Sequence, residues 1–465
     1  MKKSEPIQSA SIILQRSSGE VYLAKRSKAV SFFPGFWVFP GGKLDDPLPS
    51  DWEGTEFEVI ETVFRELYEE VGLVVGSSDI LPPDKRKQSF LVQNYDDAAR
   101  KEFKEKMVYI GKKQTPPFGT KVYIAAYFWI QDSLFDTLEP QPDGNELTEG
   151  EWIQPHDAVE QWRRGERKLP PPILHILRNM GSDHFVSISL NETYLPIGLQ
   201  TKVEFVPGFQ LVPIESDTID PFETTNLTVI SGDENMLIVD PGANIEGADH
   251  LRQFLLSLPQ EPNVFVTHHH QDHWAGLDVV YDLYPEAVVY GSAKTLDKID
   301  TKLTISQVED GDSLNLGDLN LKVIATPGHT EGHLSLYSEE RKLLIAGDHV
   351  VGFGSAVLDP DDGSMIDYFA TTRQLIELDP VLIYPSHGPP NFNGQKLLQY
   401  YLNHRIERED AILDAIKNGA ENLDQIVAKV YTDVPNQMWE YAKRNIQLHL
   451  DKLADEDRLP DNYSC

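Results

Sequence analysis

The chain has 465 residues, 40% hydrophobic and 25% charged, an ordinary globular mix long enough for about two to four domains and a sizeable core. Its formal charge of −33 speaks against a protein that tracks a long stretch of nucleic-acid phosphate, because such binding rests on Lys and Arg. The single cysteine, Cys465, excludes an intrachain disulfide, and with no apolar run behind Lys2 and Lys3 and none of membrane-spanning length, a soluble cytoplasmic protein without a secretory signal is expected.

In chain order, 11–15 and 21–25 read as strands. Residues 56–71 read as a helix, because Ile60, Val63, Phe64, Leu67 and Val71 recur at i, i+3, i+4 spacing. Thr55 with Glu58 fits a capping box at its start, and Gly72 fits the residue that ends it. A later strand is expected over 122–129, and Leu169-Pro170-Pro171-Pro172 reads as a rigid approach to a helix over 173–177. A linker is placed between about 180 and 203. Beyond it, 237–239, 264–266 and 343–346 read as buried strands between helical stretches. The last 70 residues read as mostly helical, with Leu402, Ile406, Ile412, Leu413 and Ile416 as core candidates. The charge follows the same division. Residues 1–200 carry 23 basic and 30 acidic side chains and residues 201–465 carry 18 and 44, as separately built halves would.

The first half holds Arg65-Glu66-Leu67-Tyr68-Glu69-Glu70-Val71-Gly72-Leu73. On a helix Glu66, Glu69 and Glu70 share one face, and carboxylates that close repel unless a cation lies between them. Hard oxygen donors suit Mg²⁺, which also holds substrate phosphate. A solvated acidic face would look the same from the glutamates alone. The wider pattern, with Phe39-Pro40-Gly41-Gly42 ahead of it, resembles the Nudix box over roughly residues 8–180. The resemblance implies an α/β/α sandwich that cleaves a nucleoside diphosphate linked to another group with Mg²⁺ or Mn²⁺. It implies that Glu66, Glu69 and Glu70 bind the metal, that Arg65 orients a carboxylate, and that Gly42 offers its carbonyl. Residues 43–64 make a longer spacer than the family's, and the family's earlier glutamate falls on Phe57, between Glu56 and Glu58. The spacer, Trp37 and the proline run look like the branch that acts on coenzyme A and related diphosphates.

The second half holds Thr267-His268-His269-His270-Gln271-Asp272-His273 after a strand, then His329 in Pro327-Gly328-His329-Thr330, Asp348 in Gly347-Asp348-His349, and His387 in Ser386-His387-Gly388. Histidines scattered singly are usually satisfied core or surface residues, but five at strand ends with two aspartates are not well explained that way. The set resembles the metallo-β-lactamase fold over about 204–390, which implies an αβ/βα sandwich with two metals at one sheet edge. The resemblance assigns His268, His270 and His329 to the first metal, and Asp272, His273 and His387 to the second, with Asp348 between them. Imidazole favours Zn²⁺, with Mn²⁺ or Fe²⁺ also accepted. Two such ions lower the pKa of a shared water, so no serine or cysteine nucleophile is needed. Asp240 matches the fold's early strand-end aspartate and is expected to support the ligands. His269 is expected to point away, and His333 to be a hydrogen-bonding neighbour. Pro327 to Leu336 and the tail around Leu402–Glu409 look like the glyoxalase-II-like and β-lactamase-like-protein-2 group with its winged-helix appendage.

The expectation is therefore an α/β multidomain enzyme: a Nudix domain over 1–185, a metallo-β-lactamase domain over 204–392 and a winged-helix tail over 393–465. Glu69, Glu70 and Asp272 are its candidate catalytic residues. A bifunctional hydrolase of a diphosphate and a small ester or thioester is favoured. The alternatives are a single-stranded RNA endonuclease and a one-activity hydrolase with a regulatory Nudix half. Duplex DNA is not an expected partner, because residues 395–465 carry 9 basic against 13 acidic side chains.

Overall fold

The computed structural model describes residues 6–30, 32–49, 51–75, 80–86, 97–115, 122–180, 202–358, 360–432, 436–460 and 463. The chain divides into two compact units, Met1–Pro207 and Gly208–Cys465. The expected linker over 180–203 falls almost wholly outside the described residues, as does Cys465.

The first unit has strands β1 (Ile7–Gln15), β2 (Val21–Arg26), β3 (Trp37–Val38), β4 (Gly41–Lys43), β5 (Val108–Gln114), β6 (Tyr123–Gln131), β7 (Leu147–Ile153) and β8 (Val203–Val206). Its helices are α1 (Phe57–Val71), α2 (Asp97–Lys106), α3 (Pro155–Arg163) and α4 (Pro171–Asn179). The sheet runs β3-β2-β1-β6-β5, with β4 paired to β1 and β7 to β2, and β1 and β6 are parallel. Side chains alternate across it. Ile12 and Leu14 of β1 pack on one face against Val59, Val63, Phe64 and Leu67 of α1. Ile13 packs on the other, in one core with Trp162 of α3 and Ile173 and Leu177 of α4. This is the expected three-layer α/β/α sandwich.

Two expectations about α1 meet different outcomes. Gly72 does end it, at φ 74°, with Leu73 N–H bonded to Leu67 O at 2.9 Å and Gly72 N–H to Tyr68 O at 3.1 Å. The capping box does not form. Glu56 is the N-cap, and its carboxylate turns back to accept from the Glu53 and Gly54 N–H groups. The proline run does lead into a helix, with Pro170 as N-cap and Pro171 at the first helical position, where a missing N–H costs nothing.

The second unit has strands β9 (Phe209–Glu215), β10 (Thr224–Ser231), β11 (Met236–Val239), β12 (Pro262–Phe265), β13 (Val288–Gly291), β14 (Thr304–Gln307), β15 (Ser313–Asn315), β16 (Asn320–Ala325), β17 (Leu334–Ser338), β18 (Leu343–Gly347) and β19 (Leu382–Pro385). Its helices are α5 (Ile245–Leu256), α6 (Gln271–Trp274), α7 (Leu277–Leu283), α8 (Ala293–Leu296), α9 (Met365–Glu377), α10 (Gly394–Lys417), α11 (Leu423–Val430) and α12 (Trp439–Asp455). One sheet runs β14-β13-β12-β11-β10-β9 and the other β15-β16-β17-β18-β19. The parallel strand β11 is buried at every position, as a strand covered on both faces should be. Helices α5 and α7 pack on the first sheet, and α9 and α10 on the second.

After β19 no strand occurs among the described residues, so the tail is helical there. Leu398, Tyr401 and Leu402 of α10 join the core beneath α9, whereas Ile412 and Ile416 build a separate core with Ile426, Ile446 and Leu450. Ile406, expected in the core, is 39% exposed, and Leu413 is only half-buried. The tail is pinned by a buried carboxylate. Glu409 of α10 meets Lys452 Nζ at 3.0 Å, Arg458 Nη1 at 2.6 Å and His449 Nδ1 at 3.3 Å. Burial opposes charge on Glu409, but His449 and Lys452 outweigh it and hold its carboxyl at about 2.

Glu409→Gln leaves buried Lys452 with Glu456, at 2.9 Å on the tail's surface, as its remaining carboxylate partner among the described residues, and is expected to cost about 3 kcal/mol of stability at neutral pH. Because the carboxyl is depressed from an ordinary 4.5 to about 2, its contribution is complete above pH 4.5 and is lost as pH falls toward 2. Thermal unfolding of both proteins from pH 7 to pH 2.5 should show the gap between them closing across that window.

Candidate functional site

In the second unit the candidate ligands all sit where a strand has just ended. His268, His270, Asp272 and His273 follow β12. His329 follows β16, Asp348 follows β18 and His387 follows β19. Main-chain curvature there depends on close approach: a Cβ on Gly242 would lie 1.6 Å from the Asp272 carbonyl oxygen, so that position admits only glycine.

The structure brings the seven together. His268 Nε2 and His270 Nδ1 are 2.9 Å apart, and His329 Nε2 lies 3.2 Å from the first and 3.1 Å from the second. A tetrahedral ion with nitrogen ligands at about 2.0–2.1 Å holds them about 3.3 Å apart, so three ring nitrogens facing one point fit a metal. His387 Nε2 lies 3.3 Å from Asp272 Oδ2, and His273 Nε2 lies 3.7 Å from Asp272 Oδ1. Asp348 reaches both groups: Oδ1 is 3.5 Å from His387 Nε2, and Oδ2 is 3.6 Å from His273 Nε2 and 3.8 Å from His329 Nε2. His273 Nε2 and Asp348 Oδ1 are buried with no hydrogen-bond partner, the signature of donors meant for something else.

The opposite edges of three of the rings are spoken for. His273 Nδ1 lies 2.9 Å from Asp240 Oδ2, His329 Nδ1 2.9 Å from Val357 O, and His387 Nδ1 2.9 Å from Thr224 O. Each contact fixes a ring so that Nε2 faces the cluster. Asp240, at φ 55°, also accepts from Thr267 N–H, Thr267 Oγ1 and Ser386 Oγ, each at 2.8 Å. His333 is the hydrogen-bonding neighbour expected. Its Nδ1 meets Thr326 Oγ1 at 2.7 Å, and its Nε2 accepts from Asp348 N–H at 3.1 Å. His269 turns to Asp362, 3.4 Å away, and His349 to Thr372 Oγ1 at 2.9 Å.

Electrostatics split the cluster. Burial and neighbouring imidazoles hold His268 well below the usual histidine range, and burial takes His329 to about 3 and also lowers His270, so these rings are neutral lone-pair donors at neutral pH. Burial works against charge on His387 too, but Asp348 and Asp272 overcome it and raise it to about 10. Asp272, Asp240 and Asp348 likewise push His273 well above its ordinary value.

In the first unit a cavity of about 780 Å³ is lined by Arg65, Glu66, Glu69 and Gly42, among others. A Cβ on Gly42 would lie 2.0 Å from Glu66 Oε1, so glycine lets that carboxylate lie against the main chain. Arg65 meets Glu66 Oε1 at 2.8 Å and Glu69 Oε2 at 3.8 Å, and also pairs with Asp45. Glu70 is fully inside, accepting from Gly41 N–H at 2.8 Å, and is not part of the cavity wall. Burial raises all three glutamates, Glu70 most strongly, with Glu66 adding to it. Among the described residues these three are not one of the groups whose ligand atoms fall within 4.8 Å of one another. Those groups are His268/His270/His329, His268/His273/Asp348 and Asp272/His273/His387. Phe57 is 68% exposed at the helix start, so the family's earlier glutamate position supplies no carboxylate. Besides Glu66 and Glu69 the cavity wall carries the carboxylates of Asp45 and Glu146, along with Arg26, Lys113 and the stacked pair Phe32 and Tyr123, whose ring centroids are 4.6 Å apart. Sequence reasoning missed these. No motif marks them, and Glu146, Tyr123 and Lys113 reach the box through the pairing of β2 with β7, of β1 with β6 and of β6 with β5.

The NUDIX domain model matches residues 5–172, the metallo-beta-lactamase superfamily model residues 220–387, and the beta-lactamase associated winged helix domain model residues 423–461. A beta-lactamase-like protein 2 homolog of Caenorhabditis elegans is 30% identical over 236 residues, covering 50% of this chain and 78% of that relative. A hydroxyacylglutathione hydrolase of Citrobacter koseri is 34% identical over 173 residues, covering 37% of this chain and 64% of that relative. The crystal structure of a NUDIX hydrolase from Alicyclobacillus acidocaldarius is 21% identical, with a TM-score of 0.31, covering 38% of this chain and 91% of that one. Both folds imply the use of divalent metal. Among the described residues no helix is long and apolar enough to cross a membrane.

The split in proton affinity gives a measurable consequence. His387, raised to about 10, holds a proton at pH 7.5 that an entering cation must displace, and raised His273 behaves likewise. Metal uptake by the metal-stripped protein should therefore release protons, and affinity should weaken as pH falls, up to about tenfold per unit for each proton displaced. Titration with Zn²⁺ in a weakly buffered indicator solution reads this directly, and uptake without acidification would contradict it.

Proposed function

The chain belongs to the beta-lactamase-like protein 2 group of the metallo-β-lactamase superfamily, carries a Nudix domain ahead of it, and is a hydrolase; from that premise we propose that it is bifunctional, hydrolysing a small thioester or ester in the second half and a diphosphate in the first. The observation that carries the reading is the convergence of His268, His270 and His329 nitrogens to within 3.2 Å beside Asp272, His273, Asp348 and His387. In this reading the first three would hold one ion and Asp272, His273 and His387 a second, with Asp348 placed near both sets. The nitrogen-rich set favours Zn²⁺, with Mn²⁺ or Fe²⁺ as the other ions it accepts. Held there, the pair would supply a nucleophile from water and polarise the scissile carbonyl.

The rest is done by the protein. Asp240, Val357 and Thr224 fix the rings of His273, His329 and His387, so the ligand set is preorganised. Phe222 packs on Phe353 at 4.6 Å and lies 5.5 Å from the His387 ring, an apolar wall suited to an acyl chain. A thioester is favoured over RNA because the second half carries 18 basic against 44 acidic side chains, a poor surface for a polyanion. Duplex DNA is excluded from the reading on the same ground.

In the first half Glu66 and Glu69 line the cavity and would hold Mg²⁺ or Mn²⁺, with Arg65 steering both carboxylates and Glu70 fastening the Gly41 turn. Lys113 and Arg26 on the same wall suit the anionic oxygens of a diphosphate, and the Phe32–Tyr123 stack suits a planar group. A substrate of the coenzyme A type would engage both halves, because it carries a diphosphate and forms thioesters. The domain division 1–185, 204–392 and 393–465 is part of this proposal.

A hydrolysis screen over acyl thioesters, nucleoside diphosphate derivatives and single-stranded RNA tests it, run on wild type, Glu69→Gln and His270→Ala. Thioester turnover should fall by about 10²–10⁴-fold in His270→Ala only. Mg²⁺-dependent diphosphate turnover should fall similarly in Glu69→Gln only. RNA cleavage lost in His270→Ala, without thioester turnover, would replace this reading with a nuclease. A wild-type protein inert toward every diphosphate would leave the first half a regulatory binder.

A further inference from the structure

We propose that the helical tail is part of the metal centre: Arg405 of α10 and Asn445 of α12 are positioning residues that hold the segment 351–358 and, through it, the imidazole of His329. The inference rests on the assignment of His329 as a metal ligand. On the edge of the His329 ring that faces away from the cluster, Nδ1 meets Val357 O at 2.9 Å. Val357 lies in a stretch without helix or strand, so its carbonyl is only as well placed as whatever anchors that stretch.

The anchors come from the tail, and they bracket Val357 on both sides. Arg405 Nη2 donates to Ala356 O at 2.5 Å, while Leu358 N–H meets Asn445 Oδ1 at 3.4 Å. Arg405 Nη1 donates to the same Asn445 oxygen at 3.0 Å, so one guanidinium fork ties both anchors together. At the other end of the segment, Tyr401 Oη accepts from Val351 N–H at 3.2 Å and donates to Val351 O at 2.7 Å. Gly352 N–H reaches His387 O at 2.7 Å, so the same stretch touches a ligand of each candidate ion.

The position of Arg405 is unusual in itself. It is 2% exposed, and Asn445 6%. Its described partners are a carbonyl, an amide oxygen and the face of Tyr368, 5.0 Å away. Taking a guanidinium out of water without a carboxylate to meet it is costly, and apolar packing would hold α10 to α9 without it. What only the fork supplies is the placement of residues 356–358. Tyr368 in turn stacks on His349 at 4.4 Å and donates to His349 O at 2.7 Å, which supports the residue beside Asp348.

The test uses the full chain, stripped of metal and titrated with Co²⁺ against a chromophoric chelator, with the visible spectrum recorded at saturation. Arg405→Met keeps the volume and removes the fork, and Asn445→Ser removes one anchor with less disturbance, so a variant remains if the first fails to fold. Glu409→Gln is the control, because it destabilises the same tail without touching the segment. Both test variants should bind Co²⁺ about 10–100-fold more weakly and shift its absorption bands. Glu409→Gln should keep wild-type affinity and spectrum even with a lower unfolding temperature. Wild-type Co²⁺ binding in the test variants overturns the inference, as does a loss in all three that tracks unfolding temperature. Failure of wild type itself to bind Co²⁺ would overturn the metal-centre reading first and this inference with it.

Discussion

A single buried carboxylate orders the second half of this chain. Asp240 accepts from Thr267 N–H, Thr267 Oγ1 and Ser386 Oγ at 2.8 Å, and lies 2.9 Å from His273 Nδ1. Those groups belong to the loops after β12 and β19, and the carboxylate itself hangs from the end of β11. It therefore sets the spacing between the ends of strands in different sheets. The left-handed backbone at Asp240 is a strained conformation for a residue with a side chain, and these hydrogen bonds are what hold it there. The ring nitrogens of His268 and His273 lie where they do because this anchor fixes Thr267 and His273 on either side of the motif.

The two halves solve one electrostatic problem in different ways. In the second, imidazoles and carboxylates alternate, so Asp272 and Asp348 are held below the usual carboxylate range and His273 and His387 above the usual histidine range. In the first, carboxylates crowd together with Arg65 as the cation between Glu66, Glu69 and Asp45. Burial then lifts the proton affinity of Glu66 and Glu70, Glu70 the more strongly because it lies wholly inside beside Glu66.

Much of this was legible in the sequence, and the parts that were not share a physical reason. The H-x-H-x-D-H string and the three later candidate ligands stand out because each follows the end of a buried strand. The core face of α1 is legible because five apolar residues keep helical period. The start of α1 is not: Glu56 fits the turn before it better than Thr55 fits a cap, and that choice depends on Glu53 and Gly54. Ile406 has the right period for the core and is exposed, because α10 leaves one core after Leu402 and enters another near Ile412. Glu146 and the Val357 carbonyl were out of reach altogether. The first is brought to its site by strand pairing, and a backbone oxygen leaves no trace in side-chain identity.

The placement of the candidate ligands has a consequence for how the second half holds together. His268, His270, Asp272 and His273 hang from one sheet, and His329, Asp348 and His387 from the other. Any ion held by both groups would be a clasp across the sandwich, added to the polar links that already join the two layers at that edge, Ser386 Oγ to Asp240 and Asn226 Nδ2 to the Pro385 and Gly388 carbonyls. Its binding free energy is then also cohesion between layers, about 4 kcal/mol when the free ion stands a thousandfold above its dissociation constant. Scarcity of metal would be felt first as a loosening of the fold, before any question of turnover arises.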